Sequence, residues 1–280
     1  MYLLHADIPC IFIRSYLIIH MYEHIWHRIG VLKRIPGLYL LYRTLQNKLD
    51  NRSFIIPAGP LKGYRWHYSK THQLWMGLGM YEPHTARWLL QHLRPGDVFY
   101  DIGANAGYFT LLAARQVAPE GHVFAFEPVP LNISIIQKQI HMNRLDTVCT
   151  VIPVAVCDRK GVASLLVPPQ NAYAHLEMLE VSSPGVLDKV TTYEVETTSL
   201  DTWCTEHPPP SCIKIDVEGA EYTVLQGSIR VLSTYAPRLC VATHSPSLRH
   251  SVCELLHELG YTWNTAPEDL AVIYAIPSQR

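Results

Sequence analysis

The stretch "DIGANAGYF", Asp101 to Phe109, decides how this chain is read. It follows the apolar run "DVFY" and opens with a carboxylate. A turn with glycines at Gly103 and Gly107 comes next. Gly103 lets the backbone turn tightly, and Gly107 lets a helix start close to a ligand. A turn that only reverses the chain has no need of an acid. A carboxylate there makes sense if something positively charged sits on the turn.

Outward from this stretch, apolar runs alternate with amphipathic helices. "VFYDI" precedes a helix from Gly107 to Val117, and "HVFAFE" precedes one from Leu131 to Met142. "TVIPVAV" comes next. "CIKID" precedes a helix from Ala220 to Leu232, and "LCVATH" precedes one from Leu248 to Leu259. Such alternation predicts an α/β fold, a doubly wound and mostly parallel sheet with helices on both faces. "GVASLLV" and "YEVETTSL" read as a hairpin inserted between the third and fourth strands. Upstream, residues 1 to 50 are helical in pattern, with Pro36 and Gly37 as a turn signal. "SFIIP" and "KGYRWHYSK" read as short strands, and helical spacing resumes after "YEP".

Ligands of doubly wound sheets bind beyond the carboxyl ends of the strands, at the switch point. The Asp101 turn is placed there. A dinucleotide site wants G-x-G-x-x-G, but here Asn105 holds the middle position and Tyr108 the last. Asp101 would repel a pyrophosphate, which argues against a nicotinamide cofactor. No G-K-[ST] follows, so a P-loop is excluded. A cofactor with an ammonium group and no phosphate at that end fits. S-adenosylmethionine is such a molecule, and its sulfonium adds a second positive charge. The next run ends in "AFEP", with Glu127 twenty residues after Gly107. An acid there can accept both ribose hydroxyls.

Composition narrows the class further. The 280 residues suit one domain with extra elements, or one domain plus a small one. At 48% apolar and 17% charged, the chain can bury a substantial core. A net charge of -1 with no long basic block disfavours nucleic acid as a partner. The seven cysteines form no CxxC pair, and Cys149, Cys212 and Cys240 lie in apolar runs. Free thiols in a reducing, cytoplasmic setting are expected. "IPCIFIRSYLIIHMY" is interrupted by Arg14, so neither side offers a spanning helix, and no signal peptide is expected.

These motifs together carry a family resemblance. "RPGDVFYDIGANAGYFTLLAA", "GHVFAFEPVPLN", "VAVCDRKG" and "IKIDVEGAEYTVLQG" resemble the FkbM family of S-adenosylmethionine-dependent methyltransferases. "PLKGYRWHYSK" and "GMYEPHTARWLLQHL" look like that family's lead-in, and the resemblance spans Gly59 to Tyr261. It implies a class I methyltransferase (Rossmann-like) fold that closes with an antiparallel hairpin, "YTWN" and "LAVIYAIP". It also implies methylation of a hydroxyl on a sugar, glycan or small molecule. Asp101, Gly103, Asn105 and Gly107 match the family's cofactor turn, and Glu127 its ribose acid. One departure stands out. Where the fifth strand often ends in Glu-x-His, this chain has "ATHS", with Ala242 in place of the acid and His244 retained.

A second acidic cluster lies in "KIDVEGAE". Asp216 ends the fourth strand and faces the crevice. Glu218 and Glu221 follow, where the helix dipole alone favours acids. Methyl transfer needs a group to take the acceptor's proton, and Asp216, Glu218 and His244 are the candidates. Lys214 shares a strand face with Asp216, so the two can also form a structural pair. These acids can in principle ligate Mg²⁺, but no metal is assigned. His20, His24 and His27 fall on one helix face and read as a solvated stripe rather than a zinc site. His67 and His72 read as surface or lid residues.

The expected organisation is a helical and strand-containing cap over 1–84 and a methyltransferase domain over 85–280. The cap shapes the acceptor pocket or rests on a membrane surface. A non-catalytic protein that kept the cofactor fold is the alternative, motivated by Ala242.

Overall fold

The structure is a computed structural model that describes residues 36–167, 175–176, 191–266 and 269–278. The chain divides into two compact units, 1–51 and 52–280. In the first, α1 (Pro36–Leu49) begins on Pro36 itself. Proline suits that position, since a first-turn N–H has no intrahelical partner anyway.

The second unit opens with an antiparallel ribbon of β1 (Arg52–Ile55) and β2 (Arg65–Tyr68). Then come α2 (Leu74–Gly77) and α3 (Pro83–His92). The alternation expected from sequence follows, with β3 (Val98–Ile102), α4 (Tyr108–Val117), β4 (His122–Phe126), α5 (Pro130–Met142) and β5 (Cys149–Ile152). A side sheet comprises β6 (Ala155–Val156), β7 (Gly161–Val167), β8 (His175–Leu176) and β9 (Thr191–Thr198). The chain then returns through α6 (Leu200–Trp203), β10 (Cys212–Ile215), α7 (Glu221–Gln226), α8 (Ile229–Tyr235) and β11 (Arg238–Ala242). It closes with α9 (Pro246–Glu258), β12 (Tyr261–Ala266) and β13 (Asp269–Pro277).

The main sheet has seven strands in the order β12-β13-β11-β10-β3-β4-β5. β11, β10, β3, β4 and β5 are parallel, while β13 runs antiparallel to both β11 and β12. The chain winds outward from β3 through β4 to β5, then returns to β10 on β3's other side. The switch point therefore lies between β3 and β10, and Asp101 of β3 sits opposite Lys214 of β10. Phe99, Tyr100, Val123, Phe126, Ile213, Ile215, Leu239 and Val241 are all buried, as strands covered on both faces require.

Two elements differ from the sequence reading, each for a local reason. "TVIPVAV" is not one strand. Pro153 has no N–H to continue the ladder, so β5 stops at Ile152 and β6 joins the side sheet instead. The helix expected over Ala220–Leu232 breaks at Gly227. A Cβ there would lie 2.1 Å from the Cys157 carbonyl oxygen, so the helix passes β6 too closely for any side chain. Asp201 then caps α8 from outside the helix, its carboxylate accepting from the Arg230 and Val231 N–H groups at 3.0 and 2.8 Å.

Candidate functional site

A cleft of ≈ 920 Å³, counting the solvent at its mouth, opens beyond the carboxyl ends of β3, β4 and β10. Ile102, Gly103, Asn105, Phe126, Glu127, Asp216, Val217 and Glu218 line one side. His72, Gln73, Met76 and Tyr81 face them from the lead-in segment. That segment belongs to the same compact unit as the sheet.

The turn after β3 is held by backbone. The Gly103 and Ala104 N–H groups both donate to the Phe126 carbonyl, at 3.0 and 3.1 Å. Gly103 has φ +77, and a Cβ there would lie 1.9 Å from the Asp216 carbonyl oxygen. Only glycine lets β3 and β10 end this close together. Asn105 has φ 54, a left-handed conformation that asparagine tolerates. Its Oδ1 is buried without a hydrogen-bond partner. Gly107, φ +84, begins α4 against Ile136 and does not line the cleft.

Asp101 stands behind the cleft wall rather than in it. It is 0% exposed. Thr110 donates its hydroxyl to Oδ2 at 2.6 Å, and Oδ1 has no hydrogen-bond partner. Burial raises its pKa, against the opposing pull of Lys214. The positive charge beside Asp101 in this structure is thus the buried ammonium of the next strand.

Glu127, at the end of β4, is fixed by N–H donors. Oε2 accepts from the Asn105 N–H at 2.7 Å. Oε1 accepts from the Val129 N–H at 2.9 Å and from Asn132 Nδ2 at 3.2 Å. Burial pushes its pKa up to about 7, and the three donors pull it back toward the charged form. Three of the carboxylate's roughly four lone-pair sites are occupied, so one is open to a ribose hydroxyl in this arrangement. The residues present therefore fit an adenosine-bearing cofactor. They offer one open carboxylate site, the orphaned Asn105 oxygen, and apolar walls from Phe126, Val129, Val154 and Val156.

Beyond the end of β10, Asp216, Glu218 and His244 come together, with ligand atoms within 4.8 Å of one another. Lys214, 3% exposed, donates to Asp216 Oδ2 at 3.0 Å and lies over the Phe109 ring. His244 Nδ1 contacts Glu221 Oε1 at 2.8 Å, and its Nε2 lies 3.3 Å from Glu218 and 3.6 Å from Asp216. Burial alone would lower the His244 pKa. The Glu221 hydrogen bond and three carboxylate charges push it up to about 9, so the ring is an imidazolium at neutral pH. Burial and two neighbouring carboxylates push Glu218 up to about 7, against the opposing pull of His244. Asp216 moves the other way. Burial opposes its charge, but Lys214 and His244 hold its pKa below the ordinary value. This trio can hold a divalent cation, although Lys214 already supplies a positive charge at Asp216.

The structure thus gathers Asn105, Glu127, Asp216 and Glu218 in the lining of one cleft, with His244 against the last two. Glu221 does what the helix dipole suggests, accepting from the Val217 and Gly219 N–H groups, and also grips His244.

Sequence reasoning missed several residues. His67 and His72 are buried, at 6% and 4% exposure, rather than surface groups. Glu82 (φ 38) sits at the start of α3, and burial with the nearby Asp216 charge pushes its pKa up to about 7. Only the "YEP" turn hinted at it. Asn132, 2% exposed, left no signal beyond its place near the start of α5. The six described cysteines are free, and no described helix is long and apolar enough to cross a membrane. His20, His24 and His27 lie outside the described residues.

Residues 101–262, more than half of the chain, match the Methyltransferase FkbM domain family. The chain is 25% identical over 198 residues to methyltransferase sdnD of Sordaria araneosa, covering 61% of this chain and 76% of that protein. It is 38% identical over 88 residues to 31-O-demethyl-FK506 methyltransferase FkbM of Streptomyces tacrolimicus, covering 30% of this chain and 33% of that one. It is 29% identical over 158 residues to hexuronic acid methyltransferase AglP of Haloferax volcanii, covering 55% and 59%. The motif order, the switch-point cleft and the family match agree, and the chain belongs to the S-adenosylmethionine-dependent FkbM methyltransferase family.

Proposed function

We propose that this protein moves a methyl group from S-adenosylmethionine to a hydroxyl of a sugar, glycan or small-molecule metabolite. The observation that carries the reading is that two acidic stations line one cleft. Glu127 and Asn105 suit a donor's ribose and its neighbourhood, and Glu218 and Asp216 line the same cleft. The printed names of two relatives support the acceptor class, since one acts on 31-O-demethyl-FK506 and the other on a hexuronic acid.

The bound donor supplies an electrophilic methyl group; the protein supplies placement and proton removal. Glu218 is the general base: it lines the cleft beside Asp216, and its pKa near 7 matches the operating pH. It accepts the hydrogen bond of the acceptor's hydroxyl and takes that proton as the oxygen bonds to the methyl carbon and the donor's carbon–sulfur bond breaks. Asp216, held ionised by Lys214, keeps its charge beside Glu218 and so favours the proton's arrival there. His244, charged and tied to Glu221, steadies both carboxylates and is not the base. His244 has an acid partner in Glu221 although residue 242 is alanine, which favours the catalytic reading over a non-catalytic one. Tyr81 and Met76 on the lead-in shape the acceptor side of the cleft.

The test is a screen of hydroxyl compounds for acceptor-dependent release of S-adenosylhomocysteine. Release with sugars or other hydroxyl compounds is the expected result. Release with amines or thiols but with no hydroxyl compound would sink the reading.

A further inference from the structure

A line of hydrogen bonds runs from the lead-in to Glu127, and its polarity is fixed from one end. A carboxylate only accepts, so Asn132 must turn its Nδ2 to Glu127 Oε1, at 3.2 Å. Its Oδ1 then faces His72 Nε2 at 2.9 Å, and an oxygen there needs a donor. His72 must therefore carry its proton on Nε2. Its Nδ1, 3.1 Å from Thr71 Oγ1, accepts from that hydroxyl. Thr71 in turn accepts from Ser69 Oγ at 2.8 Å. Burial holds the His72 pKa down to about 4, so the ring is neutral and has a single N–H to place. His72 and Asn132 are 4% and 2% exposed, so water does not replace these bonds.

We propose that His72 is a positioning residue for the methyl donor: through Asn132 it holds the Glu127 carboxylate aimed at the donor's ribose. His72 sits on the lead-in and Asn132 on α5, so the relay also ties the wall of the cleft to its cofactor side. The inference rests on Glu127 being the ribose acid, and the experiment separates the two.

The probes are S-adenosylhomocysteine and its 2′,3′-dideoxy analogue, titrated by calorimetry into the full chain. The variants are His72→Leu, His72→Gln, Asn132→Leu, the Leu–Leu double variant and Glu127→Gln, each first matched to wild type by thermal unfolding. His72→Leu is expected to weaken S-adenosylhomocysteine binding about fivefold to tenfold, the scale of one buried hydrogen bond, and to change dideoxy binding by less than about twofold. His72→Gln, which keeps a donor near Nε2, is expected to restore most of the loss. In the Asn132→Leu background the His72→Leu loss should vanish, because the relay is already cut. The imidazole nitrogen shifts of wild-type His72 should report the Nε2–H tautomer. Equal losses on both probes, additive losses in the double variant, or an Nδ1–H tautomer would overturn the relay. If Glu127→Gln itself loses equally on both probes, the ribose assignment fails instead.

Discussion

Two acidic stations line the cleft, and they are stabilised by different means. At the end of β4, the Glu127 carboxylate meets three neutral N–H donors. At the end of β10, Asp216 and Glu218 meet two cations, Lys214 and His244. Burial raises the Glu127 pKa to about 7 against the pull of these donors, which fix the carboxylate's geometry without placing a cation beside it. That suits a site that binds a sugar ring beside a cationic sulfonium. Cations split a pair of carboxylates instead, lowering Asp216 while burial leaves Glu218 near neutrality. That suits a site where one acid orients and the other exchanges a proton. Binding and proton chemistry thus divide along the kind of partner each acid has.

The sharpest way to break this contrast is to remove the cation. Lys214→Met leaves Asp216, Asp101 and Glu82 without their buried counter-charge. Removing one partner of a buried pair costs about 3–5 kcal/mol, so denaturant unfolding should show a loss on that scale. A loss under about 1 kcal/mol would mean that the cations are incidental to the β10 station.

Glu218→Gln separates chemistry from binding. On an acceptor found by the screen it should lower kcat roughly a hundredfold while leaving S-adenosylhomocysteine affinity within about twofold. The wild-type rate should rise with pH through about 7, because the base acts only when deprotonated, and the variant should lose that rise. A variant that keeps both kcat and its pH dependence would move the base elsewhere.

Glu127→Gln should do the converse, weakening S-adenosylhomocysteine about tenfold or more, as expected for hydrogen bonds to a charged acceptor. If Asp216→Asn weakens it just as much, the stations do not divide binding from chemistry.

The smallest effect is on stability against pH. The folded pKa of His244 is raised to about 9 from 6.5, so its contribution is fully present below 6.5 and is lost as pH rises toward 9. Wild-type stability should therefore decline across that window, and His244→Gln should flatten the slope. An unchanged slope would mean that His244 is not charged among its carboxylates.

Much of this was legible in the sequence. The strand-helix alternation, the glycine turn and the acids at strand ends are local patterns, and each landed on its expected element. What escaped is what depends on approach in space. Asp101 looked like a cofactor contact because it adjoins the turn, but the register of β3 against β10 sets it beside Lys214. Pro153 and Gly227 were visible as letters, yet their effect follows from where β6 passes. His72 and Asn132 are 60 residues apart and polar, and nothing in their spacing announces a shared bond.

The lead-in ribbon carries one last consequence. Among the described residues, the outer edge of β2 has no neighbouring strand. Instead the Gln139 side chain exchanges hydrogen bonds with the His67 N–H and carbonyl, and Asn143 does the same with Arg65. One amide on α5 and one at its C-cap thus imitate a paired strand and block an edge open to added strands. The bargain runs both ways, because Gln139 is 0% exposed and has its amide satisfied only by that ribbon. A fragment trimmed to begin at residue 85 would leave the amide orphaned on α5 and bare the surface beneath the ribbon. The ribbon belongs to the same compact unit as the sheet, so a unit for expression is best begun before β1.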